Sequence, residues 1–117
     1  MNTVFVYGLL KPGLRLHHVA APFVTHAVPA RTSGRLYDAG VPAARFDEEG
    51  EIEGFVFYIE DVRLEEALRV LDELEDEGTD YRRVTVIAKT EEGDVEAYAY
   101  EYLLDLEPGS FVGPTWV

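Results

Sequence analysis

A mixed α+β fold is what the sequence predicts: a small curled sheet or barrel of five to seven strands, with one strong helix and a short second helix. Three observations predict it. Short β-branched and aromatic runs recur along the chain, among them Thr3-Val4-Phe5-Val6-Tyr7 and Ile52 to Ile59. Glycine, proline and acidic turns separate these runs. Sustained helical spacing of apolar side chains is strongest in residues 64 to 77. Strands that outnumber helices in this way pack as a sheet with helices against it. The 117 residues, 47% of them hydrophobic, suffice for one core and are too few for two, so a single domain over 1–117 is expected.

Taken in order, Thr3 to Tyr7 reads as a buried strand ended by Gly8. Leu9-Leu10-Lys11-Pro12-Gly13 follows as a loop, because proline and glycine break regular structure. Residues 14 to 21 (LRLHHVAA) form a short helix stopped by Pro22, and 23 to 29 shows no decisive period. Gly34 to Tyr37 begins a short strand, and Asp38-Ala39-Gly40 turns the chain before Val41-Pro42-Ala43. The acidic turn Asp47-Glu48-Glu49-Gly50 leads into Ile52 to Ile59, a central strand apolar on both faces from Phe55 onward. The helix of residues 64 to 77 comes next, with Gly78 as a cap beyond its end. Tyr81 to Lys89 and Val95 to Leu103 form a hairpin across Glu91-Glu92-Gly93-Asp94. The tail from Glu107 is irregular, with Trp116 tacked onto the body.

Charge and composition narrow the function. The 23 acids and 10 bases give a net charge of −13, which argues against nucleic acid and anionic membrane, since both need a basic face. There is no cysteine, which excludes thiol catalysis, disulfides and thiolate metal sites. The N-terminus lacks the pattern of a signal peptide, and no apolar run approaches the ~18 residues that span a bilayer, so a soluble cytoplasmic protein is expected.

One acid stands out. At about 100° per residue, Leu68, Leu71 and Glu75 all fall within roughly 40° of Leu64, in the middle of the apolar stripe. A carboxylate there loses hydration, and a helix C-terminus opposes its charge, so its pKa should rise towards that of a proton shuttle working near neutral pH. The same spacing also fits a residue in a fraying last turn whose carboxylate reaches water, and Glu77 is the alternative acid if the register slips by two. Tyr7-Gly8-Leu9-Leu10 closes a buried strand, either as an ordinary turn or as one whose backbone N–H groups hold a carboxylate or oxyanion. Lys11-Pro12-Gly13 lacks the glycine spacing and the Lys-Ser/Thr pair of a P-loop. His17, His18 and His26 have no acid at ligand spacing, so no metal site is expected. Ser33 and Ser110 sit in no nucleophile elbow.

Four stretches together resemble the gamma-glutamylcyclotransferase-like family, which includes gamma-glutamylamine cyclotransferase-type proteins. They are VFVYGLLKPG, GRLYDAGVPAARF with GEIEGFVFYI, LDELEDEGTDYRRVTV, and VEAYAYEY, in the family's order and over nearly the whole chain. The resemblance implies a small mixed barrel with helices against it. It implies that Glu75, in Leu71-Asp72-Glu73-Leu74-Glu75, is the catalytic acid/base. Tyr7, Gly8, Leu9 and Leu10 would hold the α-carboxylate and α-amine end of a small-molecule gamma-glutamyl substrate, with Tyr81 and Tyr100 lining the pocket. The implied reaction releases 5-oxoproline through attack of the substrate's own α-amine, and it needs no metal or cofactor. Two departures are visible: Leu9 stands where the family usually has Ser or Thr, and Asp76 stands where Gly is frequent in some branches. Two other readings stay open beside the enzyme, a non-catalytic small-molecule-binding domain with the same pocket and a partner-binding domain that works through its acidic face.

Overall fold

In the computed structural model, which describes residues 1–116, the elements are β1 (Thr3–Val6), α1 (His17–Ala20), β2 (Val24–Ser33), β3 (Arg35–Asp38), β4 (Pro42–Arg45), β5 (Glu51–Ile59), α2 (Leu64–Leu74), β6 (Tyr81–Thr90) and β7 (Gly93–Tyr102). Every residue of β1 is buried, as its unbroken run of β-branched and aromatic side chains requires. It pairs antiparallel with β5 from Thr3↔Tyr58 to Val6↔Phe55. On its other edge β5 pairs with β2, so the expected central strand is central. β6 and β7 form the expected hairpin, from Tyr81↔Tyr102 to Thr90↔Gly93. Two short contacts, β1 parallel to β7 at Val4↔Tyr98 and β2 to β6 at Arg31↔Lys89, close the barrel in the order β1-β5-β2-β6-β7. β3 and β4 pair separately as a two-stranded sheet.

The two-residue period of the strands divides the core. Val4, Val6, Phe57 and Ile59 pack with Ala67, Leu68 and Leu71 of α2. Phe5, Val56, Val86, Ala88, Ala97 and Ala99 belong to a second cluster without helix residues, which fills the barrel. The alanines suit the narrow interior of five strands. Gly54 marks the tightest approach, because a Cβ there would lie 2.0 Å from the Val6 carbonyl oxygen.

Strand ends shift by one or two residues from the sequence reading, and three segments differ by more. α2 stops at Leu74 rather than residue 77, and the left-handed residue after it is Asp76 (φ 49°), so Gly78 is not its cap. Gly78 serves the next turn instead, its N–H donating to the Tyr81 carbonyl at 2.7 Å. The helix expected over 14 to 21 is only His17–Ala20, and Pro22 sits inside a following 3₁₀ turn, Ala21–Phe23, where a proline near the start loses no hydrogen bond. From Val24 onward, the segment without a decisive period is part of the ten-residue strand β2. Trp116 packs against the barrel cluster, as expected. Among the described residues, no helix is long and apolar enough to cross a membrane.

Candidate active site

A cavity of about 390 Å³ opens where β1 ends, between the loop after Tyr7, the end of α2, Pro42 of β4 and the tyrosines of β6 and β7. Tyr7, Gly8, Leu9, Leu10, Glu75, Tyr81 and Tyr100, the seven residues singled out in the sequence, all line it. They come from four separate stretches of chain, and only barrel closure brings them together.

The loop turns back at once after β1. The Lys11 N–H donates to the Gly8 carbonyl at 3.1 Å, and the Leu16 N–H to the Leu9 carbonyl at 3.0 Å. Pro42 crowds this turn so closely that a Cβ on Gly8 would lie 2.7 Å from its Cγ. Among the described residues, the N–H groups of Gly8, Leu9 and Leu10 donate no backbone hydrogen bond outside the sheet. Two anchors steady the loop from behind. Lys11 is 8% exposed and its Nζ donates to the Trp116 carbonyl at 2.5 Å; burial pushes its pKa down, against the pull of Glu53. His17 donates from Nδ1 to the Leu10 carbonyl at 2.9 Å, and its ring meets Phe57 edge-on.

Glu75 caps the C-terminal end of α2 and is half-buried. The turn after it is a Schellman motif: the Asp76 N–H donates to the Glu73 carbonyl at 3.3 Å and the Glu77 N–H to the Asp72 carbonyl at 3.0 Å. Glu75 takes part in none of the four ion pairs among the described residues. Its pKa is raised from 4.5 to about 7, chiefly because burial penalises the carboxylate and further because Asp76 adds like charge beside it. This group is therefore part-protonated near neutrality, able to accept a proton and to return it.

The tyrosines form the wall. Tyr7 donates to the Tyr100 carbonyl at 2.6 Å, and Tyr81 donates to the Pro42 carbonyl. Tyr100 donates to Asp72 Oδ1 at 2.6 Å, and Asp72 Oδ2 accepts from Arg83 Nη1 at 2.8 Å. Burial is the first cause that raises the pKa of each phenol, with Tyr81 and Glu75 adding at Tyr7, Glu75 at Tyr81, and the bond to Asp72 at Tyr100. All three remain neutral at any working pH. They shape the cavity, and among its lining acids Glu75 is the one whose pKa is raised to about 7.

Some contributors were not visible in the sequence. Pro42, Leu74, Asp76, Asp80 and Tyr102 also line the cavity, while Asp72 and Arg83 stand behind its wall. The three-residue spacing from Asp72 to Glu75 was the one local signal, since it places both acids on adjacent turns of one helix. Neither the histidines nor Ser33 and Ser110 reach the cavity lining.

The family profile described as gamma-glutamyl cyclotransferase, AIG2-like, matches residues 4–113. YkqA from Bacillus subtilis superposes with a TM-score of 0.77 at 28% identity, covering 98% of this chain and 39% of YkqA. This chain thus spans about two-fifths of that protein's length. An AIG2-like protein from Mus musculus superposes at 0.72 with 21% identity, over 94% of this chain and 82% of the mouse protein. An uncharacterised protein from Pyrococcus horikoshii does so at 0.69 with 24% identity, over 96% and 86% of the two chains. The last two likenesses are of fold alone. No curated protein sequence matches the chain.

Proposed function

The chain belongs to the AIG2-like gamma-glutamyl cyclotransferase family, and from that premise we propose that it cyclises a small gamma-glutamyl compound to 5-oxoproline, with Glu75 as general acid/base. One observation carries the reading: a half-buried carboxyl with its pKa raised to about 7 shares one cavity with neutral tyrosines and the loop that follows β1.

The chemistry asks little of the protein. The neutral α-amine of the substrate attacks its own γ-carbonyl carbon, forming a C–N bond and a five-membered ring. Proximity within one molecule supplies much of the rate. Glu75 takes a proton from the attacking nitrogen and delivers it to the nitrogen of the breaking amide, so the amine leaves and the carboxylate is regenerated. The N–H groups of Gly8, Leu9 and Leu10 hold the α-carboxylate and steady the oxyanion of the tetrahedral intermediate. Leu9 offers no hydroxyl here, so its contribution is its backbone alone. Tyr7, Tyr81 and Tyr100 line the pocket around the glutamyl chain. No step calls for a metal or cofactor.

The test is mass-spectrometric detection of 5-oxoproline after incubation with gamma-glutamyl dipeptides, gamma-glutamyl amines and glutathione, run beside Glu75→Gln. Product from the wild type and at least a hundredfold less from a folded Glu75→Gln is the expected result. A ligand-dependent rise in melting temperature without product from any member would replace the enzyme with a binding domain built on the same pocket.

A further inference from the structure

We infer that Asp72 is a positioning residue, which sets Glu75 in the cavity by fastening the last turn of α2 to the barrel wall at two points. The inference rests on the reading of Glu75 as the proton carrier. Asp72 lies three residues before Glu75, is half-buried, and does not line the cavity itself. Both of its carboxylate oxygens are used. Tyr100 donates to Oδ1 at 2.6 Å and Arg83 to Oδ2 at 2.8 Å. These two donors are direct cross-strand partners in the β6–β7 ladder, so they form a rigid fork around one carboxylate.

The grip extends both ways. Arg83 is held over the Tyr98 ring at 5.2 Å, and the Asp72 backbone carbonyl accepts the Glu77 N–H of the Schellman turn. The Tyr100 carbonyl accepts from Tyr7 at the opposite wall of the cavity, so Glu75 and Tyr7 take their places from the same strand. A single contact would let the helix end rotate about it. Two contacts from adjacent strands fix both its rotation and its depth, and Glu75 moves with the turn that carries it. An ion pair to Arg83 alone, on a part-exposed surface, would contribute little. Tyr100, only 4% exposed, makes the arrangement directional, because a charge-assisted bond to a buried phenol is short and oriented.

Tyr100→Phe and Asp72→Asn test this. Tyr100→Phe deletes one hydroxyl, leaves every charge in place and keeps the carbonyl that Tyr7 uses; Asp72→Asn keeps an acceptor for Tyr100 and loses the Arg83 pair. The first readout is the titration of the Glu75 carboxyl by ¹³C NMR in the folded protein, with Tyr7, Tyr81, Tyr100, Tyr102, Asp76 and Asp80 as the titratable groups around the same cavity. The second is steady-state kinetics. In folded Tyr100→Phe the Glu75 midpoint falls from about 7 towards 4.5 as the carboxyl gains water, and kcat falls about tenfold or more with KM changed by less than about twofold, since a misplacement near 1 Å costs up to ~100-fold. A Glu75 midpoint and kcat unchanged in both folded variants would overturn the inference. If the wild type turns over no gamma-glutamyl compound, the titration alone decides it, so failure of the proposed reaction and failure of the positioning role are told apart.

Discussion

At Glu75 the same burial that suits the proposed chemistry costs stability. Its pKa is raised in the folded state, so folding favours the protonated carboxyl. The contribution is fully present below the unfolded value of 4.5 and is lost as pH rises through about 7. A neutral amide has no such loss. Glu75→Gln is therefore expected to gain roughly 1–2 kcal/mol over the wild type at pH 8 and nothing at pH 4, measured by urea unfolding at both values. Activity follows the opposite limb: turnover by the wild type should fall below about pH 7, as the base becomes protonated. Asp76 tunes this residue from next door, in a left-handed conformation that glycine adopts more easily. Asp76→Gly should lower the Glu75 titration midpoint without lowering the melting temperature, and a midpoint unmoved by the change would count against the like-charge contribution. The helical wheel placed Glu75 in the apolar stripe. It did not show that the helix stops at Leu74 and leaves Glu75 as its C-cap residue, because the left-handed turn at Asp76 carries no apolar signature.

Among the elements, β1, β5 and the β6–β7 hairpin were legible because their side chains are apolar or alternate. α2 was legible from the leucine spacing. β2 was not. Val24–Ser33 includes Thr25, His26, Pro29 and Arg31, with more exposed than buried positions, and its place comes from hydrogen bonds to the edge of β5. Such a strand is specified by its partner's backbone rather than by its own side chains. The meeting of β1 with β5 makes the sharpest demand on a residue. An alanine at Gly54 would set its Cβ against the Val6 carbonyl, backbone against backbone, with no flexible group to yield. Gly54→Ala is expected to cost about 3 kcal/mol or more, read as a lower urea midpoint, or to abolish folding. Gly8 meets a proline ring instead, so Gly8→Ala should displace the loop and weaken ligand binding more than it lowers the melting temperature.

Over the whole molecule, a net charge of −13 on 117 residues leaves the folded surface repelling itself. The Debye length falls from about 10 Å at 0.1 M salt to about 3 Å at 1 M, so added sodium chloride should raise the melting temperature, as a calorimetric series would show. The chain's last described segment also has a role at this scale. Pro114 accepts from the Glu53 N–H at 2.7 Å, and Trp116 accepts from Lys11, which ties the loop after β1 to the first residues of β5.

By itself, then, the sequence determined the class of fold, the strongest strands and helix, and the place of Glu75 in the apolar stripe, because period and hydropathy are local properties that a burial requirement writes into the chain. The family pattern further picked out the loop and the two tyrosines. Tertiary structure alone decided that these residues meet around one cavity, that β2 completes the barrel, and that Asp72 is gripped by a cross-strand pair. Strands distant in sequence become neighbours only through ladder register, and the desolvation that raises the Glu75 pKa comes from walls that other elements supply.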